Sequence, residues 1–252
     1  MSTTRMTIAA AATLIALATL PVGNASSGST APEVTTLATF GNGLAAGSTI
    51  GPDGALYVTD PNAGSVLRVD TRTGEVSTFA GGLPPQVLGV GGAMDVAFLE
   101  GTAYVLATMV GGDIVGGDHI GDATVGIYRL DADGQFTTFA DIGKWSVEHP
   151  PETDYFVTTG VQYALEPYGE GFLVTDGHHN RVLGVAPDGR IDELITFDNI
   201  VPTGLEAFGP VVLMAQAGAL PHRPEAGKVV AFGPSPAAAV EVASGASLIV
   251  DV

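Results

Sequence analysis

A fourfold repeat of short strands and tight turns constrains the fold of this chain more than any other feature. In each copy a strongly apolar second strand ends in a polar residue, and these strands span residues 55–60, 103–108, 172–176 and 211–216. A short first strand precedes each of them, and a third and a fourth strand follow. Segments of four to six β-branched and aromatic residues between Gly- and Asp-containing turns favour strands over helices. Four antiparallel strands per unit, recurring every ~40 to 65 residues, predict an all-β propeller of four-stranded blades.

Glycines and insertions support the same repeat. Gly74, Gly134 and Gly189 occupy one position in three copies, at the point where a tight hairpin needs a positive φ. Two segments depart from the pattern. Residues 111–122 are rich in Gly and Asp, and residues 141–159 contain Trp145, the single tryptophan. Both are predicted to decorate one rim of the propeller, the first as a flexible loop.

The N-terminal residues are predicted to be a secretory signal. Arg5 precedes an apolar run over residues 6–20, and small residues follow at 23–25. The run is shorter than the ~20 residues that a membrane-spanning helix needs. We therefore expect a signal peptide at 1–25, a flexible leader at 26–31 and a propeller domain at 32–252. The predicted location is secreted or extracytoplasmic, with no stable membrane insertion after cleavage.

Charge and cysteine content limit the partners. The chain has a net charge of −18 and no cysteine. Such an anion repels nucleic acid and anionic lipid headgroups, so neither is an expected partner. The absence of cysteine excludes disulfides and thiolate sites. The expected partner is a small molecule or an extracellular protein.

Three phrases carry a resemblance to a known family. They are Gly-Pro-Asp-Gly-Ala-Leu-Tyr-Val at 51–58, Thr-Asp-Gly-His-His-Asn-Arg-Val at 175–182 and Val-Pro-Thr-Gly-Leu-Glu at 201–206. They resemble the ScyD/ScyE family within the NHL-like and gluconolactonase-like six-bladed propellers, over residues 32–252. The resemblance implies an exported propeller with no established activity. It also implies that Asp176 and Asn180 tie the turn between the second and third strands.

The C-terminal residues look like the start of another unit. Residues 247–252 resemble a first strand, and six blades are expected in the family. Our expectation is therefore that about two C-terminal blades are missing. In the alternative, this strand completes a blade begun by residues 34–40.

Polar residues at the ends of the second strands are candidate ligands for a metal. Asp60, Thr108, Asp176 and Gln216 recur at one structural position, and oxygen-rich sets suit Ca²⁺ or another divalent cation. The predicted metal set is Asp60, Asp176 and Glu206. The competing interpretation, in which each Asp caps its own turn, is favoured. Gluconolactonase-like relatives hold a divalent metal over the channel, but their ligands have no residue-by-residue match here.

Rim residues are the candidate ligand contacts. They are His178, His179, Asn180, Trp145 and His119, and the two adjacent histidines are expected to be exposed in a loop. The sequence has no nucleophile elbow, P-loop or dinucleotide fingerprint. Two functions remain open: a secreted binding or scaffold propeller, which is favoured, and a metal-dependent lactonase or related hydrolase.

Overall fold

The structure is a computed structural model, and it describes residues 34–40, 45–223, 225–233 and 239–252. The predicted signal peptide and leader lie outside the described residues. Nearly all the regular structure is β, in four four-stranded antiparallel sheets. The β-propeller predicted from the repeat is confirmed. No helix in the described part of the chain is long and apolar enough to cross a bilayer.

The first two blades differ in one insertion. The strands of the first blade are β1 (Ser48–Ile50), β2 (Leu56–Asp60), β3 (Ser65–Val69) and β4 (Val76–Gly81). Those of the second are β5 (Gly92–Leu99), β6 (Thr102–Thr108), β9 (Gly126–Leu130) and β10 (Phe136–Asp141). Between β6 and β9 the chain forms a separate hairpin of β7 (Gly111–Asp113) and β8 (His119–Asp122). The flexible loop predicted for 111–122 is therefore wrong, because these strands pair and Ile114 bridges to Val157.

The third and fourth blades follow a short helix. Helix α1 (Ile142–Glu148) begins after Asp141, whose side chain accepts a hydrogen bond from the Lys144 backbone N–H. The third blade contains β11 (Gln162–Tyr168), β12 (Gly171–Asp176), β13 (Arg181–Val185) and β14 (Ile191–Thr196). The fourth contains β15 (Pro202–Phe208), β16 (Val211–Gln216), β17 (Gly227–Phe232) and β18 (Val240–Ala246).

Apolar clusters between successive blades form the core. Between the first and second blades, Tyr57 packs edge-on against Phe79 and Phe98, with ring centroids 4.8 and 4.7 Å apart. An equivalent set of Tyr104, Phe139 and Phe172 lies between the second and third blades. The next interface includes Leu173, Val182 and Met214 together with the buried Phe232. In the second and third blades the second strands are mostly buried on both faces, because each of these two sheets packs between two neighbours.

The repeat glycines have the predicted conformation. Gly74, Gly134 and Gly189 have φ of 74°, 80° and 82°. At Gly189 an added Cβ would overlap the carbonyl oxygen of Phe139 in the preceding blade, and at Gly74 it would overlap that of Leu37. The Leu37 backbone therefore lies against the first blade in the same way that the fourth strand of the second blade lies against the third blade.

Candidate functional site

The first strands of all four blades line one channel. β1, β5, β11 and β15 face a cavity of about 380 Å³, together with residues 250–252. A one-residue register shift interrupts β5, β11 and β15 between Ala93 and Asp95, Gln162 and Leu165, and Pro202 and Leu205. Bulges of this kind re-aim side chains and are common beside functional sites.

Four carboxyl groups line this channel, and none of the described lining residues is basic. They belong to Asp95, Glu166, Glu206 and Asp251. Asp95 accepts hydrogen bonds from the backbone N–H of Val96 at 2.8 Å and of Leu165 at 2.8 Å. Glu166 Oε1 accepts one from Ala207 N at 3.0 Å. Asp95 and Glu166 therefore each link a first strand to the first strand of the next blade.

The environment of two of these groups disfavours ionisation. Burial raises the pKa of Asp95 to about 7 against the opposing effect of its two backbone hydrogen bonds, and the charges of Asp251 and Glu166 raise it further. Burial likewise raises the pKa of Glu166 to about 7, with added repulsion from Glu206 and Asp251. The channel therefore holds carboxyls that change charge near neutral pH.

Asp251 in the C-terminal segment lies against β15 in the same way that Asp95 lies against the segment before β1. An added Cβ on Gly204 of β15 would contact Asp251, just as one on Gly47 would contact Asp95. Thr203 Oγ1 also donates to the Ile249 carbonyl at 2.9 Å. Residues 249–251 thus lie beside β15 as a first strand lies beside its predecessor, although they are not assigned as a strand.

The structure does not assemble the predicted metal set. Asp60 Oδ1 caps its own turn by accepting a hydrogen bond from Ala63 N at 3.0 Å, and Glu206 lines the channel. Asp176 is buried in a different cluster. Across the described residues, no group of three or more His, Asp or Glu side chains is placed to hold a metal ion. The Asp60, Asp176 and Glu206 set stays a prediction, and no chemical step is derived through a metal.

Asp176 belongs to a buried network centred on Arg181. The side chains of both residues are almost fully buried, and Arg181 Nε donates to Asp176 Oδ2 at 3.0 Å. Burial alone raises the pKa of Asp176, but His179 and Arg181 beside it outweigh burial, so the pKa lies below its ordinary value. The other polar partners of Arg181 are the His149 carbonyl, Ser146 Oγ, His179 Nδ1 and Glu193 Oε2. Its guanidinium also lies 4.8 Å from the Trp145 ring.

The rim histidines are not exposed as predicted. His179 is buried, with Nε2 donating to the Val157 carbonyl at 3.0 Å. His178 is half-buried, and its Nε2 lies 3.1 Å from Tyr163 Oη. The segment between α1 and β11 covers both rings, because Phe156 packs on His178 and Tyr155 on His179.

Two implied ties of the turn have different outcomes. Asp176 makes no side-chain cap to its turn, because its oxygens bind Gln162 Nε2, His179 and Arg181. Asn180 does bind backbone, but its Oδ1 accepts from Ile200 N and Val201 N, in the connection to the next blade. The prediction that Asp176 ties the turn through a hydrogen bond to the backbone is wrong, because its carboxylate instead binds the side chains of the buried cluster.

His119 and Trp145, the two remaining candidate ligand contacts, lie in different surroundings. His119 lies on the exposed β7–β8 hairpin between Asp113 Oδ1 at 2.7 Å and Asp122 Oδ1 at 2.8 Å. Hydrogen bonds to those two carboxylates raise its pKa. Trp145 on α1 stacks on His149 and covers Arg181. Trp145 thus helps to hold the insertion in place.

Sequence reasoning missed Asp95 and Glu166. The signal was present, since both stand in first strands of the repeat. However, Asp95 pairs with Leu106 whereas Glu166 pairs with Leu173, one register position away, so the two do not align in the repeat.

Comparison with known proteins establishes the fold. No protein-family profile and no curated protein matches the chain. Among solved structures, a catalytically inactive variant of virginiamycin B lyase from Staphylococcus aureus with quinupristin is 15% identical, with a TM-score of 0.52 over 78% of this chain and 54% of that chain. A gluconolactonase from Xanthomonas campestris is 15% identical, with a TM-score of 0.53 over 83% and 66%. A chain of the nidogen–laminin complex is 15% identical, with a TM-score of 0.54 over 83% of this chain and 68% of that chain. This chain therefore spans about half the length of the lyase and about two thirds of the length of the gluconolactonase, and what it shares with them is the fold.

Proposed function

We propose that this chain is an exported binding propeller of the ScyD/ScyE type that takes a small cationic molecule into its central channel. One observation carries the proposal: four carboxyl groups and no basic side chain line a single cavity of about 380 Å³ among the described residues. Cavities of ~300 to 1,000 Å³ suit small organic ligands. Burial, with added repulsion from neighbouring carboxylates, keeps Asp95 and Glu166 partly protonated, and a cation in the cavity favours their ionised forms.

An organic cation fits better than a single metal ion. A metal ion needs several ligand atoms within ~2.0 to 2.6 Å of one point. No three acidic or histidine side chains of the described residues converge in that way. A diamine spreads its charge over several ångströms and can approach separate carboxylates.

Calorimetric titration with 1,4-diaminobutane at low salt tests the proposal, with butane-1,4-diol as the uncharged match. We expect saturable binding of the diamine alone, stronger at pH 8 than at pH 6 by about tenfold for each pKa-7 carboxyl that must ionise. Glu166→Gln keeps an acceptor for Ala207 N and removes the charge, so it should weaken binding and its pH dependence. The exposed Glu170→Gln is the control. Equal heats from diamine and diol, or no binding, would overturn the proposal.

Lactone hydrolysis is the second candidate. It is favoured by carboxyls with a pKa of about 7, which suits a general base or acid at neutral pH. The fold shared with a gluconolactonase is consistent with it. A pH-stat assay with glucono-δ-lactone, with and without added Ca²⁺, tests it. Turnover lost in Glu166→Gln supports catalysis, and the uncatalysed rate in every condition rejects it.

Export is proposed from residues 1–25 alone. Expression of the full chain with N-terminal sequencing of the secreted product should show cleavage after Ala25. Retention of the intact chain inside the cell contradicts export and leaves the channel proposal unaffected.

A further inference from the structure

Tyr163 is the only aromatic residue among the described residues that line the channel. It lies in the bulge of β11, between the paired residues Gln162 and Leu165, and it is half-buried. A bulge turns a side chain away from the direction that regular pleating would give it. The cavity wall therefore includes one tyrosine in addition to the four carboxyl-bearing residues.

Two contacts fix the Tyr163 ring in the wall of the channel. Its hydroxyl oxygen lies 3.1 Å from His178 Nε2, in the short 3₁₀ helix Gly177–His179 that follows β12. Gly177 lies against the edge of the ring, because an added Cβ there would stand 2.5 Å from Tyr163 Cε2. Phe156 in turn packs on the His178 ring, with centroids 4.8 Å apart. The protein therefore sets the position of the hydroxyl before a ligand arrives.

A buried ring nitrogen of His178 indicates the direction of the hydrogen bond to Tyr163. Nδ1 is buried and lacks a hydrogen-bond partner, alone among the side-chain nitrogen and oxygen atoms of the described residues. Burial lowers the pKa of His178, so the ring carries a single proton at neutral pH. A buried N–H without an acceptor is rarer than a buried acceptor without a donor. The proton therefore lies on Nε2, which donates to Tyr163 Oη.

The direction of this bond leaves the Tyr163 proton for another acceptor. A phenol oxygen can accept one hydrogen bond and donate another at the same time. Burial raises the pKa of Tyr163, which keeps the proton on the hydroxyl at neutral pH. Within the described part of the chain, His178 is the one hydrogen-bond partner of Tyr163 Oη.

We propose that Tyr163 donates a hydrogen bond to an oxygen atom of the ligand in the channel, and that His178 is the positioning residue that holds the Tyr163 hydroxyl for it. This inference rests on the proposed binding of a cation. It narrows the ligand class to amines that also carry an acceptor oxygen, such as an ether, a hydroxyl or a carbonyl group. The carboxyl groups bind the ammonium end, and the oxygen lies against Tyr163.

Calorimetric titration of the full chain with 3-methoxypropan-1-amine and with pentan-1-amine tests the inference. The two ions have the same number of non-hydrogen atoms and differ in one oxygen. We expect the ether amine to bind about fivefold more tightly, as one neutral hydrogen bond provides. Tyr163→Phe should bring the two affinities to the same value. Tyr168→Phe is the matched control, because Tyr168 lies in the same strand and outside the channel lining.

The positioning role of His178 has a separate readout. His178→Gln keeps an N–H donor for Tyr163 Oη, whereas His178→Leu removes it. The preference for the ether amine should therefore persist in the first variant and disappear in the second. ¹⁵N NMR of the unmodified chain should show the His178 proton on Nε2, a result that does not depend on the folding of any variant.

The failure of this inference differs from the failure of the proposed function. Equal binding of the two amines to the unmodified chain, a full preference retained in Tyr163→Phe, or a His178 proton on Nδ1 would overturn the inference and leave cation binding in place. Binding of neither amine would instead overturn the proposed function, and the ligand class named here with it.

Discussion

The channel and the Arg181 cluster bury carboxylates in opposite ways. Asp176 has Arg181 3.0 Å away and His179 beside it, and its pKa lies below the ordinary value. Asp95 and Glu166 accept hydrogen bonds from backbone N–H groups and lie near other carboxyl groups, and burial raises the pKa of both to about 7. A carboxyl group is therefore held ionised in the Arg181 cluster, whereas in the channel it is partly protonated near pH 7.

This difference suggests two roles: the Arg181 cluster has a fastening role within the protein, whereas the channel is suited to an external ligand. Arg181 joins β13 to α1 and to the segment before β11, because its donors reach Ser146 Oγ and the His149 carbonyl. Every strong donor in that cluster is used within the protein. Among the described residues that line the channel, no basic side chain balances the carboxyl groups, so the proposed cation would gain the most there. Carboxyl groups with a perturbed pKa and no cationic partner are typical of functional sites.

The largest expected effect comes from breaking the paired region. Arg181→Met keeps much of the side-chain volume but leaves Asp176 buried without its cation. We expect a loss of about 3–5 kcal/mol in the free energy of unfolding, measured by urea denaturation. Arg190→Met is the matched control, since the ion pair of Arg190 with Asp192 is exposed and is expected to contribute under ~1 kcal/mol. Equal losses in the two variants would contradict the fastening role.

A glycine beside Asp176 gives the next largest effect. Gly160 has φ of 76°, and an added Cβ would overlap Asp176 Oδ1 and approach Gln162 Nε2. Gly160→Ala should therefore cost roughly 2–4 kcal/mol in the free energy of unfolding. Gly169→Ala has a similar φ of 61° with open space around it and should cost only about 1 kcal/mol. Similar thermal midpoints for the two variants would show that the network tolerates displacement.

The unpaired region should respond to pH. A carboxyl with a raised pKa keeps a proton in the folded state that the unfolded chain releases, so its contribution to stability falls as pH rises from about 4 to about 7. Glu166→Gln should lessen this fall, leaving the variant more stable than the unmodified chain at pH 8 by roughly 1 kcal/mol after allowance for solvent screening. Urea denaturation at pH 5 and pH 8 measures the difference. The same pH slope in both proteins would mean that Glu166 is ionised at both values.

The exposed hairpin should show the smallest effect. Asp113 and Asp122 raise the pKa of His119, so this interaction is present at low pH and is lost as pH rises through the raised pKa. NMR titration of the His119 ring should give a midpoint above 6.5 that falls in Asp113→Asn. An unchanged midpoint in that variant would exclude the contact.

The blades could be predicted from the repeat in the sequence, but the residues of the candidate site could not, because their surroundings depend on contacts between blades. Gly74 and Gly189 identified the hairpins because a tight turn requires a positive φ whatever its neighbours. The burial of His179 was not predictable, because the residues that cover it lie in the insertion before β11. Asp95 and Glu166 were missed because which side chains line the channel depends on bulges that shift the register of β5 and β11.

The most direct test is ¹³C NMR titration of the side-chain carboxyls, assigned through Asp95→Asn, Glu166→Gln and Asp176→Asn. The account predicts that Asp95 and Glu166 titrate near pH 7, that Asp176 titrates below its ordinary value, and that 1,4-diaminobutane lowers only the first two midpoints. Ordinary midpoints near 4 for Asp95 and Glu166, unmoved by the diamine, would contradict it.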